Sequence, residues 1–265
     1  MSEASRLFDD GHAYERMMGR WSRLVGEKFL DWIAPPKRLE WIDVGCGNGA
    51  FTEVLIERCA PAAVTGVDPS EGQIAFARTR PGTKLAQFRV ADAQALPFAD
   101  NGFDAAAMAL VITFIPDARK AVNEMARVVR PGGVVATYMW DFDNRGFPHA
   151  PVGDAMASLG LVLASPPHRD NARRDRLQAL WEQAGLTEVA TEVIHIDVVH
   201  ASFDDFWQSS TAPVGPSGKA IADLSPQDRE RLKTRLREQV PTASDGRIAY
   251  RSSANAVKGT KRGPG

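Results

Sequence analysis

Apolar residues at Met17, Trp21, Leu24, Val25, Phe29 and Trp32 fall near the spacing of one helix face. They predict an amphipathic helix over 14–33, ended by Pro35-Pro36. The pattern then changes period. Short apolar runs at 39–44, 63–67, 84–90, 103–110 and 134–139 read as buried strands, and helical patterns at 49–59, 70–80 and 117–129 lie between them. Strands alternating with helices imply βαβ units and a mostly parallel sheet, an α/β fold. The punctuation agrees: Ser70 with Gln73 forms a capping box, Asp117 after Pro116 is an N-cap, and Arg130-Pro131-Gly132-Gly133 separates a helix from the next strand.

Beyond Met139 the alternation weakens. Residues 141–173 are rich in Pro, Gly and small side chains, with one short helical piece near 152–163, and read as a cap insertion over an edge of the sheet. A helix over 173–184 leads to a strand over 189–199. Residues 203–216 read as irregular and aromatic, 225–239 as a helix, 248–257 as a last strand, and the closing "KGTKRGPG" as a frayed tail. The expected organisation is a helical lid over 1–36, a cofactor-binding core over 37–140, the cap over 141–172, completion of the sheet over 173–258, and a tail over 259–265.

The first strand runs into "DVGCGNGA", a glycine-rich turn that opens a helix. Glycine permits a sharp turn and close approach to a ligand, and a helix N-terminus offers unpaired N–H groups. Gly45, Gly47 and Ala50 satisfy the dinucleotide spacing G-x-G-x-x-G/A, which admits a nicotinamide-dependent oxidoreductase. Two features oppose a pyrophosphate. Asp43 would face a dianion across the turn, and the loop carries no Arg or Lys. A carboxylate there suits a positively charged ligand such as an amino acid's ammonium. The second strand ends at Asp68, about 20 residues after the first glycine, where an acid in nucleotide-binding α/β folds meets a ribose diol. The third ends "RVADAQALPF", which brings Asp92 to the same sheet edge. Three acids at three strand ends, with no phosphate-binding base, describe a nucleoside joined to a zwitterion: S-adenosyl-L-methionine.

Composition narrows the classes further. The 265 residues are 44% hydrophobic and carry 32 basic against 33 acidic side chains, so no polyanion or nucleic-acid partner is expected. "MSEASRLFDDGH" has no basic-then-apolar leader, no apolar run is long enough to span a bilayer, and Cys46 and Cys59 are too few for a disulfide framework. A soluble, cytoplasmic protein without a metal site is the expectation. A homodimer is compatible with the sequence, although nothing in it fixes a symmetric surface.

"IDVGCGNG", "VTGVDPS", "VADAQALPFADNGFD" and "EMARVVRPGGVV" together resemble, in order and spacing, the class I S-adenosylmethionine-dependent methyltransferases of the group called methyltransferase type 11. The resemblance covers about 41–140. It implies a Rossmann-like three-layer sandwich whose seven-stranded sheet is mostly parallel with the last strand antiparallel, and a cofactor lying across the strand ends. Carried over by motif, Asp43, Gly45 and Gly47 would line the methionine moiety. Asp68 would hold the ribose, with Pro69 and Ser70 beside it. Asp92, Ala93 and Gln94 would meet the adenine, and Ala109 and Leu110 would pass under the reacting end. Apart from these motifs, Arg20 could pair with the ligand's carboxylate and fold the N-terminal helix, with Tyr14 and Met18, over the cofactor as a lid; the alternative is a surface arginine on a docking helix.

Methyl transfer from a sulfonium is an in-line displacement, so alignment and desolvation are the main requirements, and a base is needed only where the nucleophile must lose a proton. Asp141, His149 and His168 are the candidates for such a base, with His195 and His200 further on. Trp140, Phe142, Phe147, Phe206 and Trp207 could wall an apolar acceptor pocket or, equally, pack the cap against the sheet. "MALV" after the fourth strand lacks the Asn/Asp-Pro-Pro pattern of amino-directed nucleic-acid methylation, and neither cysteine lies where cytosine-C5 methylation needs its nucleophile. The expected function is methyl transfer to a small organic molecule. A non-catalytic protein that binds an adenosyl ligand on the same fold is the alternative.

Overall fold

The computed structural model of the chain describes residues 18–213 and 215–263. Helix α1 (Arg20–Ile33) buries Trp21, Val25, Phe29 and Ile33 at i, i+4 spacing and stops where Ala34 turns left-handed before Pro35. The alternation then runs β1 (Glu40–Val44), α2 (Ala50–Cys59), β2 (Ala63–Asp68), α3 (Glu71–Thr79), β3 (Ala86–Val90), β4 (Phe103–Ala109), α4 (Ala118–Val128) and β5 (Val129–Trp140). After α5 (Ala150–Ser158) come α6 (Arg174–Gln183), β6 (Leu186–His200), α7 (Phe203–Ser210), α8 (Gly215–Ala222), α9 (Pro226–Gln239) and β7 (Ile248–Lys261).

The seven strands form one sheet in the order β3-β2-β1-β4-β5-β7-β6. All neighbours are parallel except β7, which lies antiparallel between β5 and β6. The central strand β4 buries Ala105, Ala106, Ala107 and Met108 completely, as a strand covered on both faces requires. Successive residues of β7 identify the two faces. Lys258 reaches the carbonyl of Trp32 at the end of α1 (2.9 Å), whereas a Cβ on Gly259 would meet Trp181 of α6. One layer therefore carries α1 and the other α6, with the sheet between them.

Three elements depart from the sequence-based expectation. Residues 203–210 are helical, capped by Ser202, whose hydroxyl accepts from the Asp205 N–H. β7 continues into the stretch expected to fray, because Val134, Val135 and Ala136 pair with Thr260, Gly259 and Lys258. The expected break before β5 is a bulge: the register with β4 shifts between Phe103 and Ala105, and this accommodates Pro131 inside the strand. The cap also draws on more chain than 141–172. Val152 and Met156 of α5 share a small core with Phe206, Ile221, Leu232 and Leu236 from α7, α8 and α9. No helix among the described residues is long and apolar enough to cross a membrane.

Candidate functional site

The turn after β1 is held against β2 by its own backbone: the N–H groups of Gly45 and Cys46 both donate to the Val67 carbonyl, at 2.7 and 3.0 Å. Gly45 sits at φ +74°, and a Cβ there would lie 2.6 Å from the Val111 side chain. Gly47, at φ +50°, faces open space, with no neighbouring atom within 4 Å of where a Cβ would sit. Its N–H donates to Asp68 Oδ2 (3.0 Å), while Asp68 Oδ1 accepts from the Ser70 N–H (2.9 Å). Ser70 in turn caps α3 by accepting from the Gln73 N–H (3.2 Å). The expected capping box is thus half made, since the Ser70 N–H belongs to Asp68.

These groups border one cavity of about 960 Å³, at the upper end of the range for ligand sites. Gly45, Gly47, Asp68, Pro69 and Ser70 line its floor, and Asp92, Ala93 and Gln94 one side. Asp92 Oδ1 accepts from the Gln94 N–H (2.9 Å), and Gln94 Oε1 accepts from the Asp117 N–H (3.1 Å), which fixes this loop against the start of α4. Ala109 and Leu110 form the near edge. Leu110 is left-handed at φ +61°, an unusual conformation for a branched side chain, and its N–H returns to the Tyr138 carbonyl (3.0 Å). Met18, just ahead of α1, also lines the cavity.

The remaining candidates lie elsewhere. Tyr14 falls outside the described residues. Arg20 does not reach the cavity: its guanidinium lies 4.1 Å from the Trp21 ring centroid and 3.7 Å from Asp205 Oδ2, an exposed pair on the cap side. Asp43 is fully buried beneath the glycine turn rather than lining it. Its Oδ2 accepts from Thr52 Oγ1 (2.6 Å) and its Oδ1 has no partner. Burial pushes its carboxyl up to about 7, a shift the Thr52 hydrogen bond opposes and the Asp68 charge reinforces.

Asp141 also fails to reach the cavity. Its carboxylate is occupied by the backbone and side-chain amides of Asn144 (3.2 and 2.9 Å), which close a turn. His168 anchors its loop through its N–H to the Thr113 carbonyl (3.1 Å) and is not among the lining residues. His200 is buried between Trp21 and Phe206, with ring centroids 5.3 and 5.2 Å away, and His195 is exposed on β6. His149 does line the cavity. It is 3% exposed and its Nε2 has no partner; burial, reinforced by nearby His200, pulls its pKa down to about 3.

Trp140, Phe142 and Phe147 wall the cap side, whereas Phe206 and Trp207 pack in the core of the cap. Sequence reasoning missed Ser22, Phe51, Gln73 and the strap Leu161-Val162-Leu163, all of which line the cavity. Ser22 lies one helical turn beyond Met18 on the same face, so that spacing was a usable signal. Cys46 also lines it, but burial raises its thiol well above the ordinary range, which suits a packed side chain rather than a nucleophile.

The donor set fits S-adenosyl-L-methionine better than a dinucleotide. The open face at Gly47 admits close approach, Asp68 and Asp92 border the floor, Asp43 Oδ1 lies unpartnered below it, and the cavity's lining arginines, Arg145 and Arg169, stand at the opposite, cap end. A cationic ligand is favoured beside these acids, and a pyrophosphate is not.

Residues 42–137 match the family model described as a methyltransferase domain. An uncharacterized protein of Mycobacterium tuberculosis is 35% identical over 208 residues, 72% of this chain and 69% of the relative. The ubiquinone/menaquinone biosynthesis C-methyltransferase UbiE of Cereibacter sphaeroides is 30% identical over 163 residues, 56% of this chain and 63% of that enzyme. Among solved structures, a SAM-dependent methyltransferase of Thermotoga maritima, described as a possible histamine N-methyltransferase, shares the fold with a TM-score of 0.58 at 20% identity, covering 98% of this chain and all of that one. Glycine turn, strand-end acids, sheet order and relatives agree: the chain belongs to the class I S-adenosylmethionine-dependent methyltransferases.

Proposed function

We propose that this methyltransferase acts on a small organic acceptor held at the cap end of the cavity. One observation carries the reading: the cavity that begins at the glycine turn continues, without a dividing wall, between Trp140, Phe142 and Phe147 and the strap 161–166. A pocket of about 960 Å³ has room for the cofactor and an acceptor of modest size side by side. S-adenosyl-L-methionine, when bound, supplies a methyl group already activated on a sulfonium. Asp68 would hold the ribose hydroxyls, its orientation set by the Gly47 and Ser70 amides. Asp92, Ala93 and Gln94 would meet the adenine, and Gly45 and Gly47 would run beside the methionine chain. Asp43, buried beneath the turn, would support the glycine loop rather than touch the ligand.

The protein's share of the chemistry is alignment and exclusion of water. Holding two reactants in line is worth roughly 7–11 kcal/mol, and the aromatic walls keep the acceptor side dry. UbiE, a relative, is named for methyl transfer to carbon in quinone biosynthesis, which is consistent with an acceptor of this size.

The test uses S-adenosylmethionine labelled in its methyl group, incubated with the protein and a cell extract. Label should appear in the low-mass, solvent-extractable fraction. Label in acid-precipitable protein or nucleic acid would overturn the small-acceptor reading. Tight binding of S-adenosylhomocysteine with transfer to neither fraction would favour a non-catalytic binder instead.

A further inference from the structure

The walls of the cavity differ in how firmly they are held. Met139, Trp140 and His149, deep at the cap end, border it at only 2–3% exposure, so an acceptor that reaches them has to pass a wall that moves. β4 and β5 are interior strands of the sheet. The segment 141–149 is tied to β7: the Ser253 N–H donates to the Gly146 carbonyl (3.0 Å), and Tyr250 Oη donates to the Pro148 carbonyl (2.6 Å). Helix α5 is anchored by Val152 and Met156 in the core of the cap. The strap 161–166, by contrast, belongs to no helix or strand.

The strap is pinned at its ends. The Leu161 N–H donates to the Met156 carbonyl (2.9 Å) and the His168 N–H to the Thr113 carbonyl (3.1 Å), beside which Arg169 holds the Phe142 carbonyl (2.9 Å). Gly160, next to the first pin, sits at φ +73° with no atom within 4 Å of where a Cβ would lie, and a glycine in open space changes its backbone angles at little steric cost. In its middle the strap rests on α5, where a Cβ on Gly153 would lie 3.3 Å from Leu163 Cδ2. Leu163 thus sits in the notch that Gly153 leaves, and with Leu161 it packs on the cap core, which favours the closed position. Val162 and Ala164, on either side of Leu163, border the cavity and are nonetheless exposed, Val162 at 85%, as is Ala157 of α5. These residues mark where the cap end meets solvent, whereas the adenosyl end surfaces at Pro69 and Asp92.

Resting on the small-acceptor reading, we propose that the strap 161–166 is the gate through which the acceptor enters the cap end, hinged at Gly160 and closed by the seat of Leu163 on Gly153. Opening it unseats two leucines and leaves the sheet, α5 and the 141–149 segment in place. The cofactor exchanges at the other end, beside Pro69 and Asp92, without the gate having to open.

The test is stopped-flow uptake of phenylnaphthylamine, an uncharged dye that fluoresces in apolar surroundings, by the protein saturated with S-adenosylhomocysteine. In Gly153→Cys/Leu163→Cys, oxidised to fasten the strap to α5, the dye should enter about tenfold more slowly than in the same protein after reduction, a barrier about 1.4 kcal/mol higher. Exchange of labelled S-adenosylhomocysteine should be equally fast in both. Val162→Trp, which adds bulk at an exposed position of the lip, should slow dye entry and release by the same factor and leave its affinity unchanged, as a gate rather than a contact requires. Where thiol titration shows that the disulfide does not form, Val162→Trp decides alone. Equal dye entry in the oxidised and reduced protein, unchanged rates in Val162→Trp, S-adenosylhomocysteine exchange slowed as much as dye entry, or no dye uptake would overturn the proposal. If dye entry is gated as expected but labelled methyl groups go to macromolecules, the small-acceptor reading fails and the gate stands.

Discussion

The carboxylate of Asp68, at the end of β2, accepts a hydrogen bond from the backbone N–H of Gly47 in the turn after β1, at 3.0 Å. One side chain thereby shapes the glycine turn and places an acid at the border of the cavity. Asp68→Ala should weaken S-adenosylhomocysteine more than tenfold, about 1.4 kcal/mol, in a calorimetric titration. Asp68→Asn, which can still accept from Gly47 through its amide oxygen, should lose less. Equal affinity in wild type and Asp68→Ala would remove the ribose assignment.

Arg20 faces Asp205 and the Trp21 ring, not the cavity. Arg20→Ala should therefore leave the ratio of S-adenosylhomocysteine to adenosine affinity unchanged. Its stability cost should stay below about 1 kcal/mol, as for exposed ion pairs. A selective loss for S-adenosylhomocysteine would mean that Arg20 swings onto the ligand's carboxylate.

Gly45 is constrained twice, by φ +74° and by the Val111 side chain 2.6 Å from where a Cβ would sit. Gly45→Ala should destabilise the fold by about 1–3 kcal/mol in urea unfolding, through both the left-handed backbone and overpacking. Adding Val111→Ala removes the clash but not the backbone cost, so the double variant should recover only part of the loss. Full recovery would show that the conformation itself carries no strain.

The buried titratable groups give stability a pH dependence of mixed sign. His149 and His200 have pKa values pulled down to about 3 and 4, mainly by burial. Below pH 6.5 the unfolded imidazoles take up protons that the folded ones refuse, so each costs up to about 2 kcal/mol by pH 5. Asp43 acts oppositely. With its folded pKa raised to about 7, it holds a proton that the unfolded carboxyl releases above pH 4, so stability rises as pH falls from 7 to 4. The two histidines together outweigh Asp43, so the wild type should lose roughly 1.5–2 kcal/mol from pH 7 to 5, and the histidine contribution should level off as the folded imidazoles protonate near pH 4 and 3. Urea midpoints at pH 7, 6 and 5 should fall faster in Asp43→Asn and more slowly in His149→Phe. The same slope in all three proteins would contradict the assignment.

Much of the core was legible because each element carries a local signal. The strand ends at Asp68 and Asp92 follow from short apolar runs, and Ser70 and Asp117 cap the helices expected of them. What escaped depends on partners distant in sequence. Arg20 finds Asp205 across the fold, Asp43 sinks under a turn that only the folded sheet closes, and α5 packs against α9 from a separate stretch. Helix α7 did have a local sign, Ser202 three residues before Asp205, but the aromatic cluster around it obscured the period. The unpartnered Nε2 of His149 on the cap side has no sequence signature at all.

The place of β7 between β5 and β6 also bears on how the chain is made. β6 leaves the ribosome before its neighbour in the sheet exists, and β5 waits with one flank bare, so two unpaired edges persist until β7 is synthesised. Insertion of β7 between them is a late, long-range step of the kind that slows folding and invites association between nascent chains. The glycine turn, by contrast, closes within β1, α2 and β2 and is finished early. The glycine turn and the aromatic cap end of the cavity would thus mature at different times, and a chaperone that shields β5 and β6 would protect the second without touching the first.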